Sequence, residues 1–394
     1  MIGAVSMSWK VNESRSPLPP PGPDDPRAWS EGRAHPSHPS RVVYLDNLRV
    51  LLTILVIAHH IAASYGDLDV WYYNEPVSGP VSAIAFTLLG AINQAFFMGF
   101  FFLLAGYFVP FSLARKGTRA FLRDRLVRLG VPLLAYMLLI HPFVMRLGRG
   151  GGDCQFGTGP MWFVEVLLLF TLAYVVAKPL LPAMGPMRVD KLSTSVLAVG
   201  MGLGSFLVRT RYPVNEWLVF PTIQPAHATQ YLCLFAVGVW ASGTELTEDL
   251  SPELARYWRR AVLVATVGVL VAFMATDVPG DGKTNLEPLI GGWSWPSLVT
   301  SMWEQVLAVG LIIHLLRRFH VKRNAAGPVL SSAAASAYTV YILHPIVLIS
   351  LALALRDVTI PSLAKFSLTA PIAVLLLFAS AHYIRRAPLL RRVL

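Results

Sequence analysis

A chain of 394 residues that is 55% hydrophobic and only 14% charged, with a mean hydropathy of +0.55, is not a string of soluble domains, which carry about 25% charged residues. Its formal charge of +11 would suit a nucleic-acid binder, but the basic residues stand in short clusters between apolar runs, which favours membrane topology over nucleic acid. The two cysteines, Cys154 and Cys233, indicate neither a disulfide framework nor a metal site.

Residues 1–40 are rich in Pro, Ser, Gly and charge, as in SPLPPPGPDD. They lack the apolar core of a signal peptide and read as a disordered cytoplasmic tail. Residues 41–394 read as one membrane domain. Taking about 20 residues as the length that crosses the hydrocarbon, ten apolar segments follow, at 44–64, 83–109, 130–147, 161–181, 193–209, 224–242, 258–276, 294–316, 333–355 and 364–384. Segment 130–147 carries Pro132, His141 and Pro142, and 193–209 is short and Gly-rich. With the tail inside, 26 of the 33 Lys and Arg fall in cytoplasmic segments, and only Arg146, Arg149, Arg209, Arg211, Lys283, Arg356 and Lys365 fall opposite. The positive-inside rule therefore predicts an all-α polytopic bundle of about ten transmembrane helices with both termini cytoplasmic. The setting is a lipid bilayer, taken to be the inner or plasma membrane of the cell. No inverted repeat of the kind that marks many transporters is visible.

In the first segment Arg49 and His60 are eleven residues apart, about 20° from complete turns and roughly 16 Å along a helix axis. They share a face at different depths. Thr53 and Ser64 fall near the same stripe, His59 points about 80° away, and Leu51, Leu52, Ile54, Leu55 and Ile57 cover the rest, so this face looks into the protein. Arg49 alone reads equally as a snorkelling anchor, and His60 alone as a helix-packing hydrogen bond. Sharing one face favours function for both.

Further polar groups within the segments are Asn93, Gln94, Glu165, His227, Gln230, Glu304, Gln305 and His344. The topology puts Glu165 and Glu304 in the outward half, His60 outward of Arg49 and His344 near mid-depth, depths at which they could converge. A buried carboxylate beside His60 would orient the imidazole and raise its basicity for activating a hydroxyl. Interhelical hydrogen bonding is the competing reading of each carboxylate.

After the second segment, FVPFSLARKGTRAFLRDRLVRLGVP puts Arg115, Lys116, Arg119, Arg123, Arg125 and Arg128 in a cytoplasmic loop just before a helix. Arg125 and Arg128, three apart, can grip a phosphate, although topology and anionic lipid explain such charge equally well. The GRGGGDCQFGTG stretch at 148–159 lacks the Lys and Ser or Thr of a P-loop and reads as a flexible outward loop.

The series YLDNLRVLLTILVIAHH, FFMGFFFLLAGYF, FLRDRLVRLGVPLL, GPMWFVEVLLLF and YTVYILHPIVL resembles the acyltransferase-3 family of membrane O-acyltransferases, in order and spacing, across nearly the whole chain after the tail. It looks most like the succinyltransferase-like branch that modifies periplasmic glucans. The family's arginine, ten residues, histidine motif falls on Arg49 and His60, and its arginine-x-x-arginine motif on Arg125 and Arg128. The resemblance implies an acyl-CoA donor and a carbohydrate or glycoconjugate acceptor, with no bound cofactor. Arg125 and Arg128, with Arg123 beside them, would hold the CoA phosphates. His60 would be the general base, Arg49 would position the donor, and Glu165, Glu304 and His344 complete the candidate catalytic set. Ala105 stands where many relatives have Ser before Gly106, so a hydroxyl role there is absent. The chain ends too soon after the tenth segment for the esterase-like domain fused to some relatives. A transporter or flippase for a polar lipid or glycan, with the His and Glu residues as a proton relay, is the competing reading, and a silent sensor a third.

Overall fold

Apolar runs of this length settle as helices because a helix satisfies its own backbone hydrogen bonds where no water is available. The computed structural model describes residues 42–387 apart from 67–70, 151–154, 183–184, 186–187, 243–245, 248–249, 275–286 and 326. The expected tail and Cys154 lie outside the described residues, as does part of the 148–159 stretch. Ten helices correspond to the ten expected segments: α1 Val43–Tyr65, α2 Pro80–Lys116, α3 Thr118–Arg149, α4 Trp162–Ala177, α5 Lys191–Arg209, α6 Pro225–Ala241, α7 Pro252–Met274, α8 Trp295–Lys322, α9 Pro328–Ala354 and α10 Ser362–Ile384. Eight are long and apolar enough to cross a membrane. The other two are α6, with 17 residues, and α7, whose first turns carry Glu253, Arg256, Arg259 and Arg260.

The third helix corrects the expectation of a basic loop. Only Gly117, at φ 72°, separates α2 from α3, so Arg119, Arg123, Arg125 and Arg128 ride on the first turns of a 32-residue helix. Two wide π turns interrupt it, at Leu126–Gly130 and Tyr136–Ile140. Each is followed closely by a proline, Pro132 or Pro142. Pro132 has no N–H to give the Arg128 carbonyl four residues back, and the Tyr338 hydroxyl of α9 supplies that bond at 3.0 Å.

Contacts between helix termini sort the bundle into two ends. At one end Asn47 Nδ2 donates to the Arg323 carbonyl at 2.6 Å, joining the start of α1 to the close of α8. Ser332 meets His382 at 2.7 Å there, joining the start of α9 to the close of α10. This end carries the basic turns of α3. At the opposite end Lys365 of α10 pairs with Glu75, which follows α1, and the Gly292 N–H before α8 donates to the Arg209 carbonyl closing α5 at 3.0 Å. Lys365 and Arg209, expected as outward loop cations, are therefore buried ion-pair partners.

Where α2 crosses α6, a Cβ on Gly106 would collide with the Phe235 carbonyl, and one on Gly238 with the Leu103 carbonyl. In a bilayer, close backbone approach at small residues drives helix association in place of hydrophobic exclusion. The motif's glycine serves packing, and Ala105 beside it keeps the neighbouring position small.

Candidate active site

His60 lies one turn from the end of α1, and three rings gather around its position. Trp71, in the connection after α1, stacks on it with centroids 4.0 Å apart and 18° between planes. His344 of α9 stacks on it at 4.9 Å and 20°. The planes of Trp71 and His344 differ by 10° at 6.0 Å. His59, the third, meets the His60 ring edge-on at 5.5 Å and packs on Phe97 of α2 at 5.2 Å. His60 Nδ1, His344 Nε2 and Trp71 Nε1 are buried without a hydrogen-bond partner among the described residues. The stripe that α1 presents is otherwise self-satisfied, since Thr53 and Ser64 donate to the carbonyls of Arg49 at 2.8 Å and His60 at 3.2 Å.

The sequence HP at 344–345 fixes the second imidazole. Pro345 has no N–H for the Tyr341 carbonyl, and His344 Nδ1 lies 2.6 Å from that oxygen. A carbonyl only accepts, so Nδ1 carries the proton and Nε2 is left as a lone pair. Tyr341 in turn donates its hydroxyl to the Pro160 carbonyl, tying α9 to the GPMW turn that starts α4. On the other side of that turn Tyr72 joins the Tyr136 hydroxyl at 2.9 Å and His141 Nδ1 at 2.8 Å. Burial pushes the Tyr72 phenol above its ordinary range against the opposing hydrogen bond with Tyr136, which keeps it a donor. Gly159, at φ +46°, fits there because a Cβ would strike the Tyr72 hydroxyl.

The expected carboxylates sit elsewhere. Glu304 pairs with Arg209, and His227 Nδ1 is 3.7 Å from the same carboxylate oxygen. Glu165, in the first turn of α4, accepts the Thr222 N–H on both oxygens at 3.3 Å. Among the described residues neither carboxylate forms a hydrogen bond or ion pair with His60. The partner that the structure gives it is His344, with Trp71 unforeseen. Trp71 escaped the sequence reading because a connection residue shows no periodicity, and Arg209 because a cation closing a short helix looks like a loop cation.

At the basic end Arg49 pairs with Asp46 at 3.0 Å and lies 4.5 Å over the Phe108 ring. Asp124 holds Lys116 at 2.7 Å and Arg128 at 3.1 Å. Arg125 stacks over Phe121 at 5.0 Å, its Nε without a hydrogen-bond partner among the described residues. Arg125 and Arg128 thus face different surroundings. Arg123, with Lys116 and Arg119, lines an open cleft of about 800 Å³ at this end. A second cleft of about 530 Å³, at the His60 end, is lined by Tyr72, Tyr73, Asn74, Gly148 and Arg149.

Compared with known protein families, residues 42–383 match the acyltransferase-3 model, described as an acyltransferase domain. The chain belongs to the acyltransferase-3 family. Glucans biosynthesis protein C of Escherichia coli strain K12 is 28% identical to this acyltransferase-3 chain over 154 residues, 35% of the chain and 39% of the relative. The same protein of the O1:K1 / APEC strain is 29% identical over 156 residues, with the same coverage. The alignment therefore spans about two fifths of these relatives' length. No solved structure matches the chain. Family and fold together make it a multi-pass membrane protein with an acyltransferase domain, clefts at both ends of the bundle and buried histidines near one of them.

Proposed function

We propose that the chain is a membrane O-acyltransferase that moves an acetyl or succinyl group from cytoplasmic acyl-CoA to a carbohydrate hydroxyl on the far side of the cell membrane. The observation that carries this reading is His60, at the family's histidine position, buried and stacked on both Trp71 and His344, with its Nδ1 meeting no side-chain partner among the described residues. The cleft of Lys116, Arg119 and Arg123 takes the CoA phosphates, Arg128 stands beside it on the lining residue Asp124, Arg125 follows on the same helix, and Arg49 steers the pantetheine arm along α1.

His60 removes the proton from the acceptor hydroxyl, and the oxygen attacks the thioester carbonyl. The C–O bond forms as the C–S bond breaks, and CoA leaves as a thiolate that takes a proton, giving ester and free CoA. General-base assistance contributes about 10²–10⁴-fold. With no carboxylate bonded to His60 among the described residues to steady the imidazolium, the stacked π face of Trp71 favours the charge while it lasts. The names of the relatives make a glucan the first acceptor to test.

The test supplies radiolabelled acetyl- or succinyl-CoA and a soluble linear β-glucan oligosaccharide to purified protein in proteoliposomes, beside His60→Ala. Label on the oligosaccharide with intact His60 alone is the expected result. Equal labelling by both proteins removes His60 from the mechanism, and sugar movement without CoA consumption replaces transfer by transport.

A further inference from the structure

The Arg209–Glu304–His227 group is unused by the chemistry at His60, yet it is costly. Arg209 is 0% exposed. Its Nε and His227 Nε2 have no partner among the described residues, and an unsatisfied buried donor or acceptor is destabilising unless something else satisfies it. The aromatic residues leading to this group point to what that is. Trp217, between α5 and α6, is 40% exposed and meets Trp162 of α4 at 6.0 Å. Trp162 meets Tyr231 of α6 at 5.5 Å, and Tyr231 meets His227 at 6.1 Å. A tryptophan that merely anchors the bundle at the membrane interface needs no such inward series; among the described residues the ring of Trp293, 79% exposed, meets that of Phe206 alone.

Aromatic faces beside a guanidinium, a carboxylate and an imidazole match a pyranose ring, whose C–H face is apolar and whose edge of hydroxyls both donates and accepts. The aromatic series is also tied to the histidine pair through the start of α4. Trp162 closes the GPMW turn whose Pro160 carbonyl holds Tyr341, and Tyr341 meets His344 at 5.6 Å. We propose that Trp217, Trp162 and Tyr231, with Arg209, Glu304 and His227, form the subsite that holds a sugar ring of the acceptor. This rests on the acyl-transfer reading for its role, but its binding is measurable without transfer.

Two measurements decide it. In the first, binding of the β-glucan oligosaccharide is followed calorimetrically with His60→Ala protein and with the same protein also carrying Trp217→Ala or Trp217→Phe. Trp217 is exposed enough that its loss leaves the bundle folded. The alanine change is expected to weaken binding roughly three- to tenfold, with phenylalanine restoring most of it. In the second, Trp217→Ala with intact His60 raises the acceptor KM by a similar factor and leaves the acyl-CoA KM unchanged. Unaltered binding and an unaltered acceptor KM overturn the subsite while transfer stands. Trp217-dependent binding by a wild-type protein that transfers nothing upholds the subsite and removes the acyl-transfer reading. No binding by any form overturns the subsite.

Discussion

At the scale of single residues, His344 is informative because a covalent fact about its neighbour sets its protonation. Pro345 withholds an N–H from the Tyr341 carbonyl, so His344 Nδ1 donates and Nε2 faces its surroundings as a lone pair. Two isosteres separate these atoms. In His344→Asn the amide N–H can take the place of Nδ1 and keep the carbonyl bond, whereas His344→Gln places its amide nearer Nε2. We expect His344→Asn to keep a thermal midpoint close to wild type and lose at least tenfold in turnover. His344→Gln loses turnover and also about 1–2 kcal/mol of stability from the unpaired carbonyl. Full turnover in His344→Asn would reduce this residue to a structural tie. Trp71 is tested alongside it. Trp71→Leu removes the stacked face and is expected to lower turnover several-fold with both KM values unchanged, while Trp71→Phe recovers part of the loss.

At the scale of elements, the α2–α6 crossing and α3 show what patterning reveals and what it hides. Gly106→Ala or Gly238→Ala forces two backbones apart and is expected to cost about 1–3 kcal/mol in thermal unfolding. Gly90→Ala, on the same α2 with nothing within 4 Å of the added methyl, is neutral or stabilising by up to about 1 kcal/mol. Equal effects at the three positions would contradict the close-crossing explanation. The ten helices were legible because each is an apolar run bounded by charge or proline, and spans and helices agree to within a few residues at most ends. The start of α3 was not, because RKGTRAFLRDR is too polar to read as membrane helix. It is helical because Lys116 and Arg128 share Asp124 and Phe121 is fully buried. In the sequence the shared face with Arg49 singles out His60, and a polar position inside an apolar segment singles out His344. The carboxylate assignment missed because apolar periodicity gives a residue's depth and face but not its neighbour across helices, and Glu304 pairs with an arginine that the loop count had placed in water.

At the scale of the whole molecule, the basic turns and the histidine cluster lie at opposite ends of one bundle, and this separation gives the proposed reaction its direction. Charge reversal in the cleft, as Arg119→Glu with Arg123→Glu, is expected to raise the acyl-CoA KM tenfold or more while leaving the acceptor KM in place. The most direct measurement is sidedness in oriented proteoliposomes, with membrane-impermeant acyl-CoA and oligosaccharide each confined to one side. Labelled acceptor should form only when acyl-CoA meets the Lys116, Arg119 and Arg123 end, the acceptor meets the Tyr72–Asn74 end, and His60 is intact. Labelling in either arrangement alike, or only with both substrates on the same side, would contradict transfer through the bundle.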